Sequence, residues 1–523
     1  MAASTTTPTS QMILGPDVSP ETTVKLDGLP TPLEQPDLLY TAFSFRKITF
    51  IVFMAAFAGL ISPLSATIYF PALNVLANDL DISPSAINLT LLTYMIWQGL
   101  APVLLGDLAD TIGRRPVFIA GFVVYIVANV GLALQNSFGA LLALRMVQSA
   151  GTSSTVAIAA GVAADISPSS TRGKYMGWVT CGTAMGTAVG PVLGGILSQY
   201  LGWRSIFWFL AILLGIYMVP LVLAFPETGR NVVGNGSIPP QTWNMSLLSY
   251  HTRRRIQTIS ASDAPRENAA HGQEEIERIK KERKLRMPNP WKSIQLIFCK
   301  DSGLLLLYNA IVYSAFNTII ASTPYLFGEI YGFDDLQIGL CYLPFGLASF
   351  LAPLINGRLV DWNFRRVAEK LGIAIEKGKA QKNIHEFPLE RARIPVALPQ
   401  AFVGVASLVA YGWVIQFNGS LTAALVLQFI IGLSVTGCFQ VMNLMIVDYH
   451  PQSPSTATAA NNLCRCWLGG ATGALIIIMI EKMGRGWCFT FVAFVLLIAT
   501  SILVVLLRNG PKWRRTRMDT TTS

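Results

Sequence analysis

Long apolar runs, each broken by a short polar or charged stretch, follow one another from Ile48 to Leu507. Windows long enough to cross the ~30 Å hydrocarbon core of a bilayer as helices start near Ile48, Ser85, Pro116, Phe138, Met176 and Ser205. A second series starts near Gly303, Leu336, Pro395, Leu421, Ser455 and Trp487. The pattern predicts an all-α membrane protein with about twelve transmembrane helices, six in each half. Gly, Ala, Ser and Thr recur at close spacing in several runs, and such small residues let helix backbones approach one another in lipid.

The polar breaks carry a repeat of their own. Gly106 to Arg115, GDLADTIGRR, is partly echoed by Gly357 to Arg366, GRLVDWNFRR. Each copy puts a glycine at the end of an apolar run, an aspartate four positions on and two arginines just beyond. This is a charged hairpin on one membrane face of each half, as expected of a duplicated bundle. The organisation read from this is a disordered N-terminal tail (1–47), a six-helix bundle (48–225), a central loop (226–302), a second six-helix bundle (303–507) and a basic C-terminal tail (508–523). The first tail is rich in Thr, Pro and Ser and shows no basic stretch with a cleavage site, so no removable signal peptide is expected. In the central loop, Glu274 to Lys284 (EEIERIKKERK) reads as a charged surface helix or a solvated connector.

Composition agrees with a membrane protein. Of 523 residues, 52% are hydrophobic and only 13% charged, about half the charge density of an ordinary soluble domain. The formal charge of +10 is unevenly placed. With Met1 inside, the cytoplasmic connections hold Arg114, Arg115, Arg172, Lys174 and the basic residues of 230–300, 358–393 and 508–517. The outer loops hold only Arg204, Lys482 and Arg485. The positive-inside rule then puts both termini in the cytoplasm. No soluble basic domain is present to bind nucleic acid. The seven cysteines and four histidines have neither a disulfide framework nor metal-ligand spacing. No phosphate-binding loop, dinucleotide fingerprint or nucleophile elbow occurs. No cofactor, metal or enzymatic activity is therefore expected, and an ion or substrate gradient remains as the energy source.

In the fifth run, Gly177, Gly186, Gly190, Pro191, Gly194 and Gly195 follow the spacing G-x8-G-x3-GP-x2-GG. Gly186, Gly190 and Gly194 fall on one helical face, and Pro191 removes a backbone donor. This pattern resembles the antiporter motif of the major facilitator superfamily. Gly106, Asp110, Gly113, Arg114 and Arg115 resemble that superfamily's loop signature between spans two and three. Leu141 to Gly151, with Arg145 and Gln148, is similar to its fourth-span motif, and Pro226, Glu227, Thr228 and Arg230 to its PETxR ending of span six. More narrowly, IYFPAL (68–73), GRRPVF (113–118) and ATAANNLCRC (457–466) resemble the fungal drug:proton antiporter group, which includes quinidine-resistance-type and citrate exporters. Two departures stand out: Thr111 replaces a basic residue of the loop motif, and Ser149 replaces the glycine after Gln148.

The loop motif reads as a cytoplasmic latch. Asp110 can pair with Arg114, Asp165 at the end of span four can join them, and Asp361 is the equivalent aspartate of the second half. Bends at Gly106 and Gly113 fold the hairpin, and the cluster would hold the halves closed on the inner side. The alternative is that these charges only set topology. Inside the spans, Arg145 and Arg465 are the cations placed near mid-membrane, where each needs a polar partner or a wet cavity. Gln148 lies one turn from Arg145, and Asn461 and Asn462 lie one turn from Arg465. These residues are candidates for substrate binding or proton coupling. Tyr69, Tyr94, Gln98, Tyr308, Asn309, Tyr313 and Asn317 are candidates for the cavity lining. No acid lies mid-span, so proton coupling is what the resemblance implies, with Asp110, Asp165, Glu227 and Glu329 as candidate titrating groups. The sequons at Asn88 and Asn418 face outward near span ends.

Together these readings predict a secondary-active exporter of a small organic molecule such as a drug or secondary metabolite. It would be a monomer in the plasma membrane whose partners are substrate, protons and lipid. An organic-anion exporter of the citrate kind is the second reading, favoured by the two arginines, and a non-transporting sensor of the same fold is a third.

Overall fold

A computed structural model describes residues 41–167, 172–236, 238–250, 291–371, 388–450 and 454–522. Most of the N-terminal tail and the whole run Glu274 to Lys284 lie outside the described residues. Eleven helices are long and apolar enough to cross a membrane. A further crossing is made by two shorter helices joined end to end, Phe138–Thr152 and Thr155–Ile166. Its break has a local cause: Ser153 donates to Ser149 O and Thr155 Oγ1 to Thr152 O at 2.7 Å, and such back-bonding to helix carbonyls bends helices.

The spans in chain order are span 1 (Phe45–Thr67), span 2 (Leu89–Ile112), span 3 (Arg114–Leu134), the broken span 4, span 5 (Arg172–Leu201) and span 6 (Arg204–Leu223). Then come span 7 (Lys300–Tyr331), span 8 (Asp335–Cys341 with Leu343–Lys370), span 9 (Leu389–Gln416), span 10 (Leu421–Tyr449), span 11 (Pro454–Met483) and span 12 (Arg485–Thr522). Span 12 continues as helix through the basic C-terminal segment. Packing repeats between the halves. Span 1 lies against span 5 as span 7 lies against span 11, span 3 against spans 4 and 6 as span 9 against spans 10 and 12, and span 2 against span 4 as span 8 against span 10. The two bundles meet along spans 2 and 11 and along spans 5 and 8.

The glycines of span 5 explain two of these contacts. A Cβ at Gly186 would stand 2.5 Å from Leu60 O, one at Gly190 2.1 Å from Thr67 Oγ1, and one at Gly194 1.9 Å from Ile68 O. That bare face is laid on span 1. Gly195 faces the other bundle instead, where a Cβ would meet Asp335 O at 2.5 Å, while Gly339 of span 8 is as close to Pro191 O, at 2.6 Å. Gly177 departs from the motif reading, since nothing lies within 4 Å of where its Cβ would be.

The basic end of the molecule carries Arg114, Arg115, Arg393 and Arg514; the opposite end is the far end. Hydrogen bonds described between the bundles lie in the far half or at mid-depth. Asn74 donates to Pro324 O (2.7 Å), Asn88 to Gly473 O (3.0 Å), Trp467 to Ile96 O (3.2 Å) and Asn462 to Gln98 O (2.7 Å), and Ser198 donates to Asp335. Toward the basic end, Gly106 of span 2 and Gly357 of span 8 face open space. The hydrogen bonds described between the bundles thus gather from mid-depth to the far end.

Gly194→Ala should lower the unfolding temperature of the purified protein, because backbone blocks the added methyl and overpacking of this kind costs about 1–3 kcal/mol. Gly177→Ala, with open space at that position, should leave it unchanged. A thermal-unfolding series in detergent checks both.

Candidate functional site

Between the bundles lies a cavity of about 170 Å³ formed by spans 1, 2, 4, 5, 7 and 11. Both intramembrane arginines line it, together with Tyr94, Gln98, Tyr313 and Asn317 from the residues expected from sequence. Thr67, Phe70, Thr187 and Phe316 line it as well; Phe70 belongs to the IYFPAL motif, and the other three were not singled out as lining residues by the sequence. No aspartate or glutamate is among its described lining residues.

Arg145 is 1% exposed. Its guanidinium carbon sits between two rings, 4.1 Å from the centroid of Tyr69 and 4.3 Å from that of Tyr94. Desolvated cation–π contacts of this kind are worth about 2 kcal/mol. Its Nη1 donates to Gln148 Oε1 at 2.6 Å, Gln148 Nε2 to Asn129 Oδ1 at 2.8 Å, and Asn129 Nδ2 to Tyr125 O at 2.8 Å. Nε and Nη2 meet no acceptor. Ser149, at the position where a glycine was expected, donates to Tyr94 O at 2.7 Å and ties span 4 to span 2.

Arg465 has a parallel setting in the other bundle. Its Nε donates to Asn462 Oδ1 at 2.9 Å and its Nη2 to the same oxygen. The guanidinium carbon lies 4.8 Å from the Tyr313 ring centroid. Asn461 does not serve this arginine: one residue along the helix, it points to Asn309 and Asn443, which with it form a triad of amides at 2.6–2.9 Å. Asn309 is therefore committed to packing between spans 7, 10 and 11. Tyr308 is also away from the cavity, fully buried with its hydroxyl on Cys438 Sγ at 3.3 Å. Tyr69 lies beneath Arg145 and does not line the cavity; its hydroxyl bonds Thr90 at 3.1 Å.

At the basic end, charges are arranged differently from the expected latch. Arg114 pairs with Asp165 at 3.2 Å, and the Asp110 side chain lies outside the described residues. Glu227 is the organising group. It accepts the backbone N–H groups of Arg114 (2.8 Å), Arg115 (3.1 Å), Thr228 (3.0 Å) and Gly229 (2.8 Å), so one carboxylate caps the start of span 3 and its own turn. Gly113 makes this possible with φ of +122°; a Cβ there would strike Glu227 Oε2 at 2.5 Å. The contacts described here stay within the first bundle. Asp361 is exposed and makes no ion pair among the described residues, because the second bundle builds its clamp elsewhere. There Arg393 pairs with Asp448 at 3.0 Å, and Arg514 in the C-terminal part of span 12 faces Glu390 in the first turn of span 9 at 3.7 Å. At the far end Arg485 pairs with Glu329 at 3.0 Å. Of the two sequons, the amide of Asn88 is buried on Gly473 O, whereas Asn418 is in an exposed turn and accepts from Arg485 at 3.0 Å.

A profile of the Major Facilitator Superfamily matches residues 55–474. The chain belongs to the major facilitator superfamily. It is thereby a multi-pass membrane transporter and not an enzyme. This major facilitator is 41% identical over 480 residues to the MFS-type transporter phiD of Fungal sp. (strain ATCC 74256), covering 92% of this chain and 71% of that one. It is 36% identical over 480 residues to Citrate exporter 1 of Aspergillus niger, covering 90% and 87%. Among solved structures, the human organic anion transporter MFSD10 superposes with a TM-score of 0.50 at 16% identity, over 88% of this chain and 99% of that one; this likeness concerns the fold.

Glu227→Gln replaces one accepting oxygen by a donor that faces backbone N–H. The loss of hydrogen bonds to a charged acceptor should destabilise the basic end by about 1.5–3 kcal/mol. Unfolding temperature and protease sensitivity between spans 2 and 3 read this loss. Asn88→Gln should leave electrophoretic mobility with and without glycosidase unchanged.

Proposed function

We propose that this transporter is a secondary-active exporter of an amphipathic organic anion, loaded from the cytoplasm and driven by inward proton movement. The observation that carries the reading is the pair Arg145 and Arg465, two guanidinium groups on one cavity with amides and aromatic rings as partners and no carboxylate beside them. A buried cation persists where something offsets its desolvation. Ring faces and amide oxygens do this in part without neutralising the charge, so an anion entering the cavity gains its full attraction. Phe70, Tyr313, Phe316 and Ile320 supply apolar surface for the rest of such a molecule. A citrate exporter among the relatives supports the same chemistry.

Charge supports the orientation in this reading. The described hydrogen bonds between the bundles lie away from the basic end, and the positive-inside rule assigns the basic end to the cytoplasm together with both termini. Bonds on the outer side are what an exporter loading from the cytoplasm would hold closed. The plasma membrane is the membrane across which export to the medium takes place. A drug or secondary metabolite bearing a carboxylate, phenolate or sulfate fits the cavity's chemistry as well as citrate does.

Equilibrium binding and proteoliposome transport test the proposal. Arg465→Gln should raise the dissociation constant of carboxylate ligands by about tenfold or more, the factor for one hydrogen bond to a charged group. Neutral and cationic analogues should bind that variant as they bind wild type. Export should stop when a protonophore collapses the proton gradient and continue without ATP while the gradient is held. Undiminished anion binding in Arg465→Gln rejects the anionic substrate, and export that needs ATP rejects proton antiport.

A further inference from the structure

Asn462 is held from two sides. Its Oδ1 accepts from Nε (2.9 Å) and Nη2 of Arg465, and its Nδ2 donates to the carbonyl oxygen of Gln98, in the other bundle, at 2.7 Å. That carbonyl is available for a reason visible in the sequence. In a helix the oxygen of residue 98 is bonded by the N–H of residue 102, and residue 102 is a proline inside span 2. Pro102 thus leaves an acceptor at mid-membrane, where an unpartnered carbonyl is costly, and the amide of Asn462 reaches across to occupy it.

We propose that Asn462 is a positioning residue that couples occupancy at Arg465 to the contact between spans 2 and 11. The guanidinium polarises the amide through Oδ1, which strengthens the N–H donated to Gln98 O, since hydrogen bonds in a chain reinforce one another. When a ligand takes the guanidinium, the amide loses that support and the bond across the bundles weakens. The contact that fails is the deepest of those sealing the far end; Trp467 to Ile96 O and Asn88 to Gly473 O lie beside and beyond it. Loading the cavity thereby loosens the seal through which the ligand must leave. This last step rests on the anionic substrate proposed above; the link from Arg465 to the seal does not.

Hydrogen–deuterium exchange of the purified, ligand-free protein tests the link. The readout is the far-end segment 73–90, where Asn74 and Asn88 cross to the second bundle, with span 3 as the internal control. Pro102→Ala restores the N–H that takes the Gln98 carbonyl back into its own helix. Arg465→Met removes the polarising group and leaves Asn462 in place. Each should raise far-end exchange about fivefold, the factor set by one hydrogen bond of ordinary net strength, with span 3 unchanged. The double variant should show no more than either single change, because both act through one bond. Unchanged far-end exchange in Arg465→Met, or additive effects in the double variant, overturns the proposal. Should a variant loosen span 3 as well, Asn462→Leu decides: it removes both bonds at once with an apolar side chain of similar volume, and wild-type exchange at the far end in that variant overturns the proposal. No ligand enters this experiment, so a transport screen that finds no anionic substrate leaves its outcome untouched.

Discussion

A carbonyl oxygen in hydrocarbon needs a donor, and much of this structure follows from how that need is met. Helices meet it along nearly the whole chain. At two of the prolines inside the spans a side chain from elsewhere fills in: Tyr342 donates to Ile320 O, four residues before Pro324, at 2.7 Å, and Asn462 donates to Gln98 O, four residues before Pro102. The first repair joins spans within one bundle, and the second joins the two bundles. Other hydroxyls turn back on their own helix, as Ser314 and Thr318 do on span 7. Polar side chains in the spans are therefore spent first on backbone, and the few left over define the cavity.

The two arginines are the exception. Each is held by an amide and by aromatic faces, and neither has a carboxylate partner among the described residues. A buried ion pair would cancel the field inside the cavity, whereas removing one partner of such a pair leaves a charge stranded. Amide and ring partners avoid both results. The cost of desolvating the cations is partly offset before substrate arrives, and the remainder is available to attract it.

Much of this was legible in the sequence, and the gaps have physical causes. The windows at Ile48 and Trp487 and the others between them fall on the observed spans because a helix in lipid must be apolar for its full length. Gly186, Gly190 and Gly194 were readable as a packing face because helical periodicity alone stacks them. Gly177 was not separable from them, since spacing says nothing of where the neighbouring helix ends. Arg145, Gln148, Arg465 and Asn462 were found because polarity in an apolar run is conspicuous. Asn461 and Asn309 carry the same signal, yet which of two adjacent amides faces an arginine depends on the rotation of span 11. The burial of Asn88 was hidden because its partner, Gly473 O, belongs to the other bundle and is backbone, which leaves no trace in composition. Glu227 stood within a visible motif, but its service as a cap for four N–H groups needs the chain to return to the start of span 3.

The clamps at the basic end show how far the two halves have drifted from their common plan. Arg114 with Asp165 and Arg393 with Asp448 keep the same sense in both bundles. The closing segment of each bundle, the turn after span 6 in the first half and the C-terminal part of span 12 in the second, has reversed: it supplies the acid Glu227 in one and the base Arg514 in the other. Grafting the closing segment of one half onto the other would set Glu227 against Glu390, or Arg514 against the N–H-rich start of span 3, like facing like in both cases. The duplicated halves have become a matched pair that cannot be interchanged, and a recombinant carrying two copies of either half would meet that mismatch at the basic end.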